Sequence, residues 1–237
     1  MNSSPNLPRA VSADLPPDPE AFSERKQLIH AAIAVYMDDP TSLTPAAICE
    51  QAGTDRLTFV SYFDEPEDAL PAFYTLVFDQ YHLLRMATDG YEHFSFEERL
   101  ATFLYILLDA LDEEREFVKA TFHSDIRRSA SFRDQVQGEM QRLLTEDTVP
   151  STNQWVTGRW TVSRIATEAV LRIIRFWLHD TSDDRAATTA LIDKLVAFTA
   201  ELVTFRGVQR GTDLLWYLTK VDALGLKRVP LIGRFFE

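Results

Sequence analysis

Five histidines, at positions 30, 82, 93, 123 and 179, are the side chains whose ordinary pKa best suits proton transfer or metal ligation near neutral pH. Their spacing supports neither. No two stand four residues apart and none belongs to an HExxH pair, so no helix offers two imidazoles to one zinc ion. The one cysteine, Cys49, occupies a small apolar position and reads as core; alone it closes no disulfide within the chain. There is no glycine-rich phosphate loop and no GxSxG elbow. The run Asp112-Glu113-Glu114 falls at a helix end and reads as solvated capping. Nothing here calls for catalysis, a cofactor or a metal, and the expectation is a protein that is not an enzyme.

Charge points the same way. The 237 residues include 36 Asp and Glu against 24 Lys and Arg, a net charge of -12. Composition alone therefore opposes binding to a polyanion, because phosphates are neutralised by Lys and Arg. With 46% hydrophobic residues the chain can bury a large core, enough for a small module joined to a larger one. No run of about 18 apolar residues is free of charge, so no membrane-spanning helix is expected. A single cysteine fits a reducing cytoplasm.

The elements that must position any functional side chain are helices. Leu100, Phe103, Leu104, Leu107, Leu108 and Leu111 repeat at the spacing of one helix face. No segment sustains a two-residue alternation, which excludes a sheet-based fold. Periodicity, caps and breakers predict helices over about 21–37, 44–51, 55–63, 66–88, 96–112, 113–124, 131–146, 153–179, 184–206 and 212–224. Thr44 is a favoured N-cap with Pro45 in the first helical position, and Gly53 is a favoured stop. Residues 1–20, with Pro5, Pro8, Pro16 and Pro17, read as a disordered leader.

Three helices in about 45 residues, the last two separated by a turn centred on Gly53, have the layout of a helix-turn-helix. The stretch Leu43–Leu70, LTPAAICEQAGTDRLTFVSYFDEPEDAL, resembles the signature of the TetR family at Thr44, Ile48, Ala52, Gly53, Thr58, Tyr62, Phe63, Glu67 and Leu70. The resemblance implies an all-α protein with an N-terminal three-helix helix-turn-helix module at 21–70 and a C-terminal helical bundle at 71–206 for ligand binding and dimerisation. It implies double-stranded DNA as partner, contacted by Thr44, Arg56, Leu57, Thr58, Ser61 and Tyr62. Arg56 suits a guanine edge and Thr58 a thymine methyl or a phosphate. Phe59 and Phe63 would face inward and hold the third helix.

Two positions depart from the family pattern. Val60 stands where a tyrosine is usual, and Pro66 where a lysine commonly opens the fourth helix; both family residues contact the phosphate backbone. Between Thr44 and Leu70, Arg56 faces six carboxylates, a local charge of -5. The first functional expectation is a TetR-like transcriptional repressor controlled by a small apolar ligand. The alternative is a TetR-fold accessory protein that binds lipid or isoprenoid and no longer binds DNA. The run Phe176–Asp184 resembles C-terminal domains of TetR-like proteins and, more loosely, the lipid-binding TetR fold of ubiquinone biosynthesis.

In the larger region the candidate ligand contacts are Phe78, Tyr81, Phe103, Leu107, Phe117 and Phe122; an ordinary bundle core is the better account of any one of them alone, and the resemblance implies a pocket among the group. The helix at 153–179 is apolar around most of its circumference apart from Arg164, Glu168 and Arg172, spaced to pair along it. With the helix at 184–206 it is expected to build a four-helix homodimer interface. Residues 207–237 form a basic, amphipathic tail. Membrane contact fits that composition, but docking on its own domain is the favoured reading.

Overall fold

The computed structural model describes residues 19–122, 130–146 and 156–204. Most of the expected leader, the tail and the helix expected at 212–224 lie outside the described residues. Among those described, every regular element is helical. In chain order these are α1 (Pro19–Asp38), α2 (Pro45–Ala52), α3 (Arg56–Tyr62), α4 (Ala69–Ala87), α5 (Phe96–Asp112), α6 (Arg115–Thr121), α7 (Ala130–Glu146), α8 (Val156–His179) and α9 (Ala186–Thr204).

The N-terminal three helices form because their caps and apolar faces agree. Thr44 accepts the Ala47 N–H at 3.2 Å and opens α2. Asp55 accepts from the Thr58 N–H at 2.8 Å and opens α3. Between them Gly53 adopts φ +65°, the left-handed conformation that ends α2. Leu28, Ile29, Ala32 and Ile33 of α1 are buried against Ile48 and Ala52 of α2 and Phe59 of α3. One continuous core then runs from these residues through Phe73, Leu76 and Val77 of α4 into the bundle, where α5 buries the leucine face that its spacing predicts.

The bundle pairs α7 with α8, α5 with α9, and α4 with both α1 and α5. Helix α4 thus spans the molecule, touching the N-terminal module on one side and the bundle on the other. Among the described residues no helix is long and apolar enough to cross a membrane.

Three boundaries differ from expectation. Residues Pro66–Asp68 form a 3-10 turn rather than the start of α4, tied by the Asp68 carboxylate accepting the Glu65 N–H at 3.1 Å. The helix expected at 113–124 is the shorter α6, because Glu114 leaves helical geometry and Arg115 donates to the Trp177 and Leu178 carbonyls at 3.0 and 3.1 Å. The α8–α9 corner is held by the Asp180 carboxylate, which accepts the Ser182 and Thr188 N–H groups at 2.9 and 2.8 Å; α9 then starts at Ala186. In that corner Asp184 and Arg185 take φ of 48° and 55°.

Candidate functional site

Helix α3 lies across the glycine corner with one side in the core and the other in solvent. Phe59 and Phe63 are buried and pack with ring centroids 5.8 Å apart. The opposite face carries Arg56, Leu57, Val60 and Ser61, all exposed. Leu57 is 78% and Val60 51% exposed, one helical turn apart. An apolar pair standing that far into water, beside an arginine, is a surface that no described residue covers.

The other candidate contacts have local partners. Thr44 is exposed but serves as the α2 cap. The Thr58 hydroxyl donates to Asp55 at 3.0 Å, and the Ser61 hydroxyl donates to the Thr58 carbonyl at 2.6 Å. The Tyr62 hydroxyl donates to Glu24 of α1 at 3.0 Å, a partner that sequence spacing could not reveal. Thr58 and Tyr62 therefore brace α3, whereas Arg56 and Leu57 point away from the fold.

The electrostatics of this module are lopsided. From Pro19 to Asp68 there are three cations and ten carboxylates. Two of the cations face the bundle: Arg25 pairs with Asp79 at 3.0 Å and Lys26 with Glu113 at 2.9 Å. His30 joins them, its Nδ1 lying 2.5 Å from Glu114. Among the described residues, Arg56 is the cation of this module that makes no ion pair. Some of the carboxylates are committed to backbone donors. Asp55 is held below its ordinary pKa chiefly by the Thr58 N–H, and Asp39 accepts from Thr41 and Ser42 at the end of α1.

The six candidate ligand contacts are all buried and gather in one aromatic layer. Tyr81 and Phe103 meet edge to face at 5.1 Å, and Phe78 lies 6.3 Å from Phe103. Phe117 stacks near Tyr74 at 6.2 Å, and Phe132 bridges Tyr74 and Phe78 at 5.5 Å from each. Leu107 and Phe122 complete the same core.

A polar cluster unseen in the sequence adjoins this layer. The Tyr81 hydroxyl donates to the buried Glu139 carboxylate at 2.5 Å, and Arg142 Nε donates to the same carboxylate at 2.9 Å. Burial alone would raise the Glu139 pKa, but the hydrogen bonds from Arg142 and Tyr81 bring it below its ordinary value. The signal available was a Glu–Arg pair at i, i+3 on α7, common on solvated helices and so uninformative by itself. Among the described residues no three His, Cys, Asp or Glu side chains are grouped to hold a metal ion.

Among the described residues, α8 and α9 bury one face in the bundle and leave apolar side chains exposed elsewhere. Glu168 pairs with Arg133 of α7, and Val170, Ile173, Ile174 and Trp177 are buried. Ile165 of α8 remains 65% exposed and Phe198 of α9 59%, with Phe176 also exposed.

The comparisons with known proteins agree with this architecture. No curated protein matches the chain. The family model described as tetracyclin repressor-like, C-terminal domain, matches residues 99–218, more than half of the 237 residues and spanning α5 to α9. A match of that extent over the bundle, preceded by three helices that turn at Gly53 and feed into α4, places the chain in the TetR family of transcriptional regulators.

Proposed function

We propose that the protein is a homodimeric repressor that binds double-stranded DNA through α3 and responds to a small ligand held by the bundle. The observation that carries this is the outward face of α3, where Arg56, with no ion pair among the described residues, stands beside Leu57 and Val60. Arginine reads guanine through its O6 and N7 acceptors, and aliphatic groups contact the thymine methyl in the major groove. Two such helices must be spaced by about one turn of duplex, about 34 Å, so a dimer is required. Ile165, Phe176 and Phe198 supply the apolar surface that a second copy would cover through α8 and α9.

Ligand control follows from the path of α4. A ligand with an apolar body seated among Phe78, Tyr81, Phe103, Leu107, Phe117 and Phe122 would displace α4. Through the Arg25–Asp79 and Lys26–Glu113 bridges it would then tilt the N-terminal module.

Selection of bound duplexes from random oligonucleotides, run at several salt concentrations, tests the reading. A two-fold symmetric site whose affinity falls with salt is expected. Failure to enrich any site at low salt would remove it. The ten carboxylates against three cations in the module support one other reading, a TetR-fold protein that binds lipid or isoprenoid and not DNA. That reading requires apolar ligand to copurify with the protein.

A further inference from the structure

Four consecutive residues, Asp112, Glu113, Glu114 and Arg115, form the elbow between α5 and α6. By sequence this run reads as solvated capping, but its side chains reach α1, α4, α8 and the turn before α9. Toward the N-terminal module, Glu113 pairs with Lys26 of α1 at 2.9 Å and accepts from Gln80 of α4 at 3.3 Å. Glu114 lies 2.5 Å from Nδ1 of His30, also on α1. Toward the α8–α9 corner, Asp112 pairs with Arg185 at 2.7 Å. Arg115 closes the end of α8 by donating to the Trp177 and Leu178 carbonyls. The guanidiniums of Arg115 and Arg185 stand 5.3 and 5.5 Å from the centre of the Trp177 ring.

A joint that served rigidity alone would satisfy its polar atoms, because a buried donor or acceptor without a partner is costly. This one does not. His30 Nε2, Gln80 Oε1, Asp112 Oδ1 and Arg115 Nε are buried, and none has a hydrogen-bond partner among the described residues. His30 Nε2 comes within 3.3 Å of Glu113 but without the alignment of a hydrogen bond. The corner at the other end is strained. Asp184 and Arg185 hold φ of 48° and 55°, left-handed backbone that is unfavourable for a residue with a Cβ. The Arg185 side chain is pinned between Asp112 and Trp177 while its backbone bears that strain. Unmet polar atoms along the seam and a strained turn at its end are the marks of an arrangement held close in energy to another.

We propose that this elbow is a two-state joint coupling the α8–α9 corner to the N-terminal module, so that a shift of one is felt by the other. A corner that moves carries Arg185 and the last carbonyls of α8 with it. Asp112 and Arg115 follow because they are bonded to those groups, and Glu113 and Glu114 follow because they lie between them in the chain. Lys26 and His30 then face displaced carboxylates, and α1, which carries both, is the helix packed against α2. A network of packed polar contacts with two arrangements is a physical carrier of coupling between distant sites. The joint gives the regulator proposed above a route of control that begins at the helices proposed to meet the second copy. It rests on that reading for its use, not for its existence.

The test is native-state hydrogen exchange of the full chain without DNA, read by NMR in the second half of α1 and the first half of α9. Rates are expressed against the amides of α7, which removes any change in global stability. Arg185→Gln unties Asp112 at the corner and should speed exchange in α1 by about fivefold or more. Lys26→Gln unties Glu113 at the other end and should speed exchange at the start of α9 by a similar factor, because coupling between two sites is reciprocal. Thr188→Val is the control: it removes the 2.6 Å hydroxyl bond to Asp180 within the corner and leaves the ion pairs of the elbow in place. It should leave α1 at the parent rate. Unchanged exchange in α1 of Arg185→Gln, an effect in one direction only, or an equal response of α1 to Thr188→Val overturns the proposal. Since no DNA is present, failure to find an operator leaves this result standing, and an uncoupled elbow leaves the operator search standing.

Discussion

The Tyr81 hydroxyl lies 2.5 Å from the Glu139 carboxylate, joining α4 to α7 through a charge that is out of contact with water. Burial and the charge of Glu139 push the phenol well above its ordinary pKa, so Tyr81 stays a donor at any physiological pH. Tyr81→Phe removes one of the donors holding Glu139 and leaves that carboxylate to Arg142. The expected loss is about 1–3 kcal/mol of unfolding free energy, read from urea denaturation. Tyr91→Phe should cost less, because the Tyr91 hydroxyl sits 3.3 Å from both Tyr81 and Arg142 and does not touch the carboxylate. If the two substitutions cost the same, the Tyr81–Glu139 bond is not what joins these helices.

Arg56 is the cation of the N-terminal module not drawn toward the bundle. Arg56→Ala should therefore weaken binding to a selected duplex by about 1–3 kcal/mol and relax preference at one base position. Fluorescence anisotropy against the site and its single-base variants reads both effects. Equal loss on every sequence would make Arg56 a phosphate contact instead.

The corner between α2 and α3 is a backbone problem more than a packing one. A methyl group added at Gly53 would meet no atom within 4 Å, yet φ is +65°. Gly53→Ala should cost about 1–2 kcal/mol from the left-handed conformation alone. Gly53→Asn should cost less, since asparagine visits that region more readily. Urea midpoints of the two variants check the order, and a larger loss for asparagine would contradict this account.

What the sequence revealed and what it hid divide along physical lines. The α5 leucine face, the Thr44 and Asp55 caps and the Gly53 turn were legible because each depends on residues within a few positions. Glu24 against Tyr62, Arg133 against Glu168, and Tyr81 against Glu139 were not. Those pairings join positions tens of residues apart, and periodicity says which face is buried without saying what it meets. The aromatic residues show the same limit. Their burial was readable, but their gathering into one layer beside Glu139 required the helix packing.

The apolar side chains that α8 and α9 leave exposed among the described residues predict an association constant sensitive to charge. Phe198→Glu and Ile165→Glu each place a carboxylate where the proposed second copy would press an apolar side chain. Sedimentation equilibrium should show a shift from dimer to monomer for each, with helicity unchanged because both side chains are exposed in the single chain. A parent protein that is monomeric at every accessible concentration would refute the dimer.

His82 gives the acid side of the stability curve a specific origin. Burial and the charge of Arg85, with Arg142 adding to them, lower its pKa, and Glu139 and Asp79 oppose the shift. The native imidazole therefore takes its proton at lower pH than the unfolded one, whose ordinary value is 6.5. Between those two values the unfolded chain holds the extra proton. Stability is thus intact above the unfolded value and declines as pH falls toward the folded one. His82→Gln, which cannot titrate, should flatten the decline between about pH 7 and pH 5 relative to the parent. Urea midpoints across that range give the comparison. Parallel slopes in the two proteins would mean that the pH dependence there comes from the carboxylates and not from the burial of His82 beside Arg85.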